Sequence, residues 1–338
     1  MAINDYFHVT AAGAGDKSGD SWANAMDEAA FKAHLEGAVV AGDVHFVKDD
    51  TYTLDSSIDS SARSGTAVSP IVIIGVKSGT TNEGANVAYS DWSRDAADRP
   101  FFDCVTFKIT TGDYYVLRNL SLEGSDTEVL EVGLVNIVEN CKGYNDSGVA
   151  NHDCLKTGTY GNVINCEIES ESGDGIAAGS YSNVSFCYIH DCDNAGYAGI
   201  KISSNICDLA FNILDNCAIG ISSSSRDVIQ VLNHTFYGCG VDVNETNGYG
   251  WSCINNLHEG STTDGYKWTT QTDINFFWKN HGNDARCNDM WDLVDTTTVF
   301  QDYEVSTGDP KFTTPGSDFS LQDSSPNIDN GMGISLGV

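Results

Sequence analysis

The chain alternates short apolar runs with polar turn residues, and this alternation recurs at a nearly fixed interval. Each repeat holds one small polar residue in a similar phrase, such as Val-Leu-Arg-Asn-Leu-Ser-Leu at 116–122. A period of this length indicates one supersecondary unit that is repeated and stacked. At spacings of 21 to 26 positions, the column consists of Asn119, Asn140, Cys166, Cys187, Asn212, Asn233 and Asn255.

The length of the repeat predicts the kind of unit. About 22 residues accommodate three short strands and three turns, which is one coil of a parallel β-helix. Equivalent side chains would then stack about 4.8 Å apart, and inward asparagine amides would bond to the coils above and below. A β-propeller needs about 40 residues per blade and fits this period poorly.

The segments outside the repeat have other patterns. A helix is predicted over 20–36, capped by Asp20 or Ser21 and ended by Gly37. The open ends of a β-helix expose strand edges and core, so this helix and the aromatic residues after 258 are the natural covers. Strands are also predicted at 42–47, 51–54 and 71–74, with an irregular excursion at 76–100.

Three regions follow from these patterns. Residues 1–100 are predicted to form an N-terminal cap and the first coils of an all-β fold. Residues 101–258 are predicted to form a regular parallel β-helix, and 259–338 the last coils with an irregular aromatic-rich C-terminal cap.

Charge and composition exclude some partners. The 48 acidic residues outnumber the 17 basic ones and give a net charge of −31. Such a surface repels nucleic-acid phosphates and anionic membranes. The sequence also lacks an apolar run of about 18 residues, so no membrane insertion is expected. Its first residues have neither a basic nor an apolar region, so we expect no secretory signal.

The cysteines indicate the compartment. There are eleven, an odd number, and Cys166 and Cys187 stand in the repeating column. None forms a Cys-x-x-Cys pair or a zinc-like spacing. We therefore expect mostly reduced thiols packed in the core, which indicates synthesis in a reducing cytosol. Disulfides remain the alternative.

Aligning the coils also aligns a second strand column. Its apolar members are predicted to point inward: Leu155, Ile176, Ile200, Ile221 and Val241. Because side chains alternate along a strand, the following residues are expected to face outward on one sheet. That outward row is Glu131, Lys156, Ala177, Lys201, Ser222 and Asp242.

Two carboxylates precede this row. Asp153 and Asp174 are predicted to face outward about 5 Å apart, the strand spacing. Carboxylates that close raise one pKa, hold a cation, or act as an acid and nucleophile pair. Lys156 and Lys201 flank them and suit a uronate carboxylate or proton abstraction. These four are the candidate catalytic residues, and the candidate substrate-binding residues are His152, Tyr197, Glu131 and Asp242.

A structural interpretation of the same residues stays open. An aspartate before glycine at a turn often bonds its own backbone, and an exposed lysine is usually solvated. We assign no cofactor and no metal site. Calcium is the one ion whose preference for oxygen ligands suits the Asp153/Asp174 pair or residues 191–194.

The two ends of the chain carry a family resemblance. Residues 18–25, with 42–48 and 51–54, resemble the common N-terminal signature of the right-handed parallel β-helix proteins of the pectate-lyase-like superfamily. The phrases at 309–312, 318–322 and 325–331 match the closing phrase of many such chains. Within this superfamily, the chain is most similar to phage tailspike or virion-surface members. The resemblance implies a single-stranded right-handed parallel β-helix. It does not fix an activity, because the superfamily hosts many.

The function expected from these observations is a phage virion surface protein, such as a tailspike, fibre or capsid decoration, that binds host-surface glycans. It would be made in the host cytoplasm and contact other virion proteins. Tailspike β-helices are commonly trimers along their axis, which leaves a homotrimer open, but the sequence shows no trimerisation segment and does not fix the oligomeric state. A polysaccharide lyase or glycoside hydrolase acting on acidic polysaccharides is the second hypothesis, which leaves enzyme status open. A non-enzymatic extracellular bacterial adhesin is the third.

Overall fold

The structure, a computed structural model, describes residues 2–77, 99–124, 127–146, 151–203, 206–224, 229–245, 251–254 and 256–260, and the backbone of six strands beyond residue 260. The chain forms two compact units, 1–176 and 177–338. This boundary differs from the region limits predicted at 100 and 258, which remain predictions.

The first unit consists of three parallel sheets, A in the order β1-β2-β5-β8-β11-β14, B in the order β4-β7-β10-β13 and C in the order β3-β6-β9-β12-β15. The chain passes through B, A and C once per coil, so the unit is a parallel β-solenoid, as predicted. Its strands are β1 (Tyr6–Val9), β2 (Val44–Lys48), β3 (Thr51–Thr53), β4 (Ile58–Ser60), β5 (Ile71–Val76), β6 (Phe101–Asp103), β7 (Ile109–Thr111), β8 (Tyr115–Arg118), β9 (Ser121–Gly124), β10 (Leu130–Val132), β11 (Ile137–Glu139), β12 (Lys142–Asn145), β13 (Leu155–Thr157), β14 (Asn162–Ile164) and β15 (Glu167–Ser170). The next strand, β16 (Ile176–Ala178), starts at the last residue of this unit.

Register in sheet A shows why three-residue strands suffice. Leu117, Val138 and Val163 are paired across consecutive coils and are buried. Beside them, Arg118 pairs with Glu139 in register, and the Arg118 Nε lies 2.7 Å from the Glu139 Oε2 on the outer side. Because side chains alternate, each coil adds one apolar residue to a continuous core and one polar residue to the surface.

The asparagine column is real in this unit, but its register needs correction. Asn119, Asn140 and Asn165 occupy equivalent corners, with φ values of 57°, 54° and 54°. The sequence alignment placed Cys166 in this column, but the residue at that corner is Asn165. Cys166 lies one position later, at the position equivalent to Cys141 in the preceding coil. Left-handed backbone favours asparagine among non-glycine residues, which explains its recurrence here.

Side-chain amides join these corners into a ladder. The Asn140 Nδ2 donates to the Asn119 Oδ1 at 3.1 Å, and the Asn165 Nδ2 donates to the Asn140 Oδ1 at 3.2 Å. The Arg99 Nη2 also donates to the Asn140 Oδ1, at 3.1 Å. Asn140 and Asn119 are buried, so these bonds satisfy groups that would otherwise be costly to desolvate.

The predicted N-terminal helix begins later than expected. A short 3-10 turn spans Trp22–Asn24, and the α-helix α1 spans Glu28–Gly37. Its N-cap is Asp27, whose Oδ1 accepts the backbone N–H of Ala30 at 2.8 Å, so the predicted caps Asp20 and Ser21 were wrong. Met26 cannot extend the helix because it is extended and bridges Val9.

The helix covers apolar interior. Phe31 and Leu35 are each 1% exposed and line the same cavity as Ile58 and Leu130 of sheet B. Burying such side chains stabilises by about 1.5–3 kcal/mol each. The helix is thus held by two residues of one face, as expected for a cover over a β-helix interior.

The second unit also consists of three parallel sheets, A in the order β17-β20-β23-β26-β29, B in the order β19-β22-β25-β28 and C in the order β18-β21-β24-β27-β30-β31, with β32 and β33 as a separate antiparallel pair. Its strands are β17 (Asn183–Ser185), β18 (Tyr188–His190), β19 (Ala198–Ile202), β20 (Cys207–Ala210), β21 (Ile213–Asp215), β22 (Ile219–Ser223), β23 (Ile229–Leu232), β24 (Thr235–Tyr237), β25 (Val241–Glu245), β26 (Trp251–Ile254), β27 (Leu257–Glu259), β28 (Asp264–Trp268), β29 (Phe276–Trp278), β30 (His281–Gly282), β31 (Ser306–Thr307), β32 (Phe312–Thr314) and β33 (Asp318–Leu321). The side chains of the predicted aromatic cap lie outside the described residues.

Corners in this unit use other residues in the same left-handed conformation. Phe186 and Phe211 occupy the corner column with φ values of 57° and 58°, and their rings stack 5.0 Å apart. Asn233 follows them in register at φ 56°. Asn212, predicted in this column, is one position further on and buried, where its Nδ2 donates to the Val184 carbonyl at 2.8 Å. Asn255 lies outside the described residues.

The prediction of thiols packed in the core is confirmed for the ten cysteines that the structure describes, since all ten are buried and none of them is in a disulfide. Burial raises the pKa of Cys104 to about 12, which keeps its thiol protonated and unreactive. The eleventh, Cys287, lies outside the described residues. Within the part of the chain that the structure describes, no helix is long and apolar enough to cross a membrane.

The ladder makes a prediction about stability. Asn140→Ala removes the amide that joins three neighbours and places a Cβ-bearing residue without side-chain compensation in left-handed backbone. We expect it to lower the free energy of unfolding by about 2–4 kcal/mol, measured by chemical denaturation. Asn140→Gly keeps the backbone relaxed and should cost less. Equal losses for both variants would contradict a conformational contribution, and no loss for either would contradict the ladder.

Candidate functional site

The outward row predicted on one sheet exists in the first unit. In sheet B, Asp59, Thr110, Glu131 and Lys156 are paired in register on successive strands. The apolar neighbours Leu130 and Leu155 are buried beneath them. Parallel pairing at the strand spacing therefore lines up polar side chains of separate coils on one outer surface.

Two lysines share one carboxylate on this surface. The Lys108 Nζ lies 2.8 Å from the Glu131 Oε2, and the Lys156 Nζ lies 3.0 Å from the Glu131 Oε1. We call Lys108, Glu131 and Lys156 the Lys-Glu-Lys row. Glu128 adds a looser contact, with its Oε2 3.7 Å from the Lys108 Nζ.

The pKa values of the row follow from these contacts. Burial acts to raise the pKa of the Glu131 carboxyl, but hydrogen bonds from Lys108 and Lys156 outweigh it and hold the pKa below its ordinary value. The hydrogen bond to Glu131 raises the pKa of Lys108 and that of Lys156. Both lysines are therefore ammonium ions at neutral pH, and neither is suited to abstract a proton.

An incoming anion can replace Glu131 as the partner of the two lysines. The Lys156 side chain is 45% exposed and the Lys108 side chain 32%, so solvent reaches both ammonium groups. Exposed ion pairs of this kind contribute only about 0–1 kcal/mol, so an incoming carboxylate can compete with Glu131 at little cost. The arrangement is suited to binding anionic groups.

The predicted aspartate pair has a different geometry from the one expected. The Asp153 Oδ1 accepts the backbone N–H of Asp174 at 3.1 Å. Asp174 is 1% exposed, so its predicted outward position is wrong. The turn before the strand is held by a side-chain to backbone bond between coils, which draws Asp174 inward. The structural interpretation of these two residues thus describes them better.

His152 adjoins this turn. Its side chain is half-buried, and its carbonyl oxygen accepts a hydrogen bond from the Asn145 Nδ2 at 2.8 Å. Asn145 is itself fully buried and also donates to the Thr127 carbonyl at 3.2 Å. The position of His152 is therefore set by its backbone, and its role as a substrate-binding residue remains a prediction.

The other candidates belong to the second unit. Lys201 is exposed on sheet B and pairs in register with Ser222, which confirms its outward position. Tyr197 lies just before that strand, partly buried, and its backbone N–H donates to the Asn194 carbonyl at 3.1 Å.

Asp242 does not face outward as predicted. It is fully buried, and its Oδ2 lies 2.8 Å from the Nδ1 of the equally buried His258. The predicted alignment set Val241 opposite Ile221, whereas the register sets Val243 there and Asn244 opposite Ser222. Ala177, predicted in the same outward row, is also buried. The predicted inward residues Leu155, Ile176, Ile200, Ile221 and Val241 are all buried.

Two charged residues on this surface of the first unit were not predicted from the sequence. Lys108 and Glu128 lie in the turns before their strands, outside the aligned triplets. Lys108 directly precedes the buried Ile109 of sheet B, and its positive charge is complementary to the outward Glu131 one coil later. Extending the register to the residue before each strand would have found Lys108.

Solved structures of other proteins share the fold of this chain. The pectate lyase Pel9A superposes with a TM-score of 0.54 at 15% identity, over 96% of this chain and 91% of its own. A PL6 family alginate lyase, AlyGC, gives 0.53 at 14% identity, over 82% of this chain but only 39% of its own. This protein has a pectate-lyase-like parallel β-helix fold.

A third solved structure of similar fold holds a different ligand. XylC in complex with xylose gives a TM-score of 0.50 at 10% identity, over 82% of this chain and 68% of its own. No family model and no curated protein sequence matches the chain. At these identities the similarity concerns the fold, so the function of this chain must be argued from its side chains.

The Asp153 contact gives a prediction that separates the contribution of its hydrogen bond from that of its negative charge. Asp153→Ala removes the acceptor for the Asp174 N–H and should lower the free energy of unfolding by about 1–2 kcal/mol. Asp153→Asn retains an oxygen at that position and should cost clearly less, as measured by urea denaturation. An Asn variant as unstable as the Ala variant would show that the negative charge, and not the hydrogen bond, is what the fold needs.

Proposed function

We propose that this protein is a glycan-binding β-helix that holds acidic polysaccharides on the Lys-Glu-Lys row. The observation that carries the proposal is that two solvent-accessible ammonium groups, of Lys108 and Lys156, lie around the one carboxylate of Glu131. Uronate carboxylates recur along an acidic polysaccharide, and successive coils present their side chains at a comparable repeat. A chain lying along the coils can therefore meet both lysines.

The overall charge sharpens this argument. With a net charge of −31, most of the protein repels a polyanion. Lys108 and Lys156 are two of only 17 basic residues, so a patch that carries both is among the few surfaces able to accept a carboxylate. Like-charge repulsion elsewhere then acts against other docking positions.

The Lys-Glu-Lys row is better suited to binding a polysaccharide than to cleaving it. Its lysines are held protonated by Glu131, so they do not act as bases, and the neighbouring Asp174 is buried. Two proteins of the same fold are by name lyases of pectate and alginate, both acidic polysaccharides, which supports the class of ligand. Catalysis on an acidic polysaccharide is the second candidate function, which the names of the same two proteins favour.

The setting that we propose is a phage virion surface, where the protein contacts host glycans and other virion proteins. Ten free, buried thiols suit a chain that folds in a reducing host cytoplasm. Flanking genes for capsid or tail proteins would support this setting. Genes for transporters and sugar kinases would contradict it, and an export system beside the gene would favour a bacterial surface adhesin.

The row predicts a specific binding defect. Replacing both Lys108 and Lys156 by Gln should weaken binding to polygalacturonate or alginate at least tenfold, because two charge-assisted contacts are lost. Isothermal titration calorimetry at low and moderate salt measures this. The matched control is Lys142→Gln, since the Lys142 Nζ forms a similar pair with the Glu167 Oε1 at 2.7 Å on sheet C.

Glu131→Gln offers the opposite test. It removes the competing carboxylate while keeping the side-chain size, so binding should tighten. Equal affinity of the wild type, the double Lys variant and the Lys142 control would remove the row as the binding surface. Absence of binding to either acidic polymer would remove the proposed ligand class.

A further inference from the structure

The N-terminal helix meets sheet A of the first unit through four aromatic rings. The His34 ring of α1 lies against those of Phe7 on β1 and His45 on β2, with centroids 4.3 Å and 5.2 Å away. Phe7 and His45 are register partners, and their own rings lie 5.2 Å apart. The Phe31 ring of α1 lies 5.5 Å from that of His45. We call Phe7, Phe31, His34 and His45 the cap seam, and two of its rings are imidazoles that acid can charge.

The cap seam borders apolar interior. His45 is fully buried, and its register partner on β5 is Ile73. Ile73 lines the same cavity as Phe31 and Leu35 of the helix, and all the residues that line this cavity are apolar. A charge formed on His45 would therefore have little polar surroundings to solvate it.

The hydrogen bonds of the cap seam fit neutral imidazoles. The His45 Nδ1 lies 3.2 Å from the Val72 carbonyl oxygen, which accepts its proton. Among the described residues, the buried Nε2 atoms of His45 and His34 have no hydrogen-bond partner. A neutral imidazole carries a proton on one nitrogen, whereas an imidazolium donates from both. Protonation of His45 would therefore place a buried donor on Nε2 without an acceptor from the described residues.

The nearby carboxylates act on one histidine of the cap seam. Asp43 and Asp5 each favour the protonated form of His34. The Asp43 Oδ2 lies 3.6 Å from the His34 Nε2, beyond hydrogen-bond distance. For His45, the nearby charge is that of His34 itself, which disfavours protonation. The two histidines thus oppose each other once either is charged.

The other titratable groups on these elements have other partners or positions. Lys32 and Glu36 of α1 pair with each other, with the Lys32 Nζ 3.1 Å from the Glu36 Oε1. His8 of β1 and Lys48 of β2 alternate to the opposite side of sheet A from the cap seam. The strand β5 has no titratable side chain.

Burial makes the closed cap resist protonation. Burial, and then the charge of His34, lowers the pKa of His45 to about 3. Burial also lowers the pKa of His34, against the raising effects of Asp43 and Asp5. An exposed histidine takes up its proton near a pKa of about 6.5, so an open cap binds protons that the closed cap does not. The closed form is therefore fully stable above about pH 6.5 and loses stability as the pH falls toward the lowered pKa values.

We propose that the cap seam is an acid-sensitive switch, in which protonation of His34 and His45 releases α1 and opens the N-terminal end of the β-helix. Two imidazolium ions at a ring separation of 5.2 Å repel each other, and release of the helix lets water solvate both. The helix yields before the coils because its buried residues are Phe31 and Leu35, whereas each inner coil pairs with a neighbour on both sides. Release exposes the apolar residues that line the cavity below.

A buried histidine within the coils gives an internal comparison. Burial lowers the pKa of His234 in the second unit to about 3 as well. His234 directly precedes β24, which pairs with β21 on one side and β27 on the other. Its Nε2 also lies 3.1 Å from the Asn212 Nδ2. Acid should therefore open the cap at a higher pH than it opens these coils.

The test follows hydrogen exchange of the backbone amides of the full chain by mass spectrometry, with each rate divided by the intrinsic rate of an unstructured peptide at the same pH. Residues 28–37 should lose about 20-fold or more of their protection between about pH 7 and about pH 5. A single histidine whose pKa is about 3 in the closed form and about 6.5 in the open form gives that factor. Strands β8, β11 and β14 of the same unit should keep their protection.

Variants that do not titrate separate the switch from general acid damage. In the double variant His34→Gln/His45→Asn, amide nitrogens replace Nε2 and Nδ1, and the acid loss over residues 28–37 should shrink to less than about threefold. His34→Gln alone leaves the fully buried ring in place and should show a smaller loss than the wild type. The matched control His152→Gln changes a half-buried histidine outside the cap seam and should lose protection as the wild type does.

Three results would overturn the switch. The first is equal protection of residues 28–37 at both pH values in the wild type. The second is a wild-type acid loss in both His34→Gln and the folded double variant. The third is a parallel loss in β8, β11 and β14, since the first unit would then unfold as a whole.

Discussion

In-register parallel pairing between successive coils is the constraint on which the other features of this protein depend. Pairing of Leu117, Val138 and Val163 gives each coil its share of the core, and the same register aligns Glu131 with Lys156 on the outside. Because the side-chain period of a strand is two, a slip of one residue would exchange these faces. Core and surface chemistry are thus fixed together.

The corners are where register is held. In the first unit, left-handed asparagines hydrogen-bond from coil to coil, and Arg99 joins the ladder at Asn140. In the second unit, stacked Phe186 and Phe211 take the equivalent place, so ring contact replaces amide bonding. Both solutions pay a left-handed backbone cost that their cross-coil contacts offset.

Periodicity was enough to predict the parallel β-helix, its inward apolar column and the pairing of Glu131 with Lys156. It was not enough to place single residues near irregular coils. Asp242 was misplaced because its coil pairs two positions away from the simple alignment, and Asp174 because a backbone bond from Asp153 draws it inward. The Lys108–Glu131 contact was missed because it depends on side-chain orientation across coils, which spacing does not encode.

The central claim is that an acidic glycan lies along the Lys-Glu-Lys row. Covalent acetylation of lysines, read by mass spectrometry with and without polygalacturonate, tests it most directly, since every lysine of the folded chain is compared in one experiment. The account predicts that Lys108 and Lys156 become protected by the polymer while Lys142 and Lys32 react as before. Equal protection of all four, or protection of Lys142 and Lys32 alone, would contradict it.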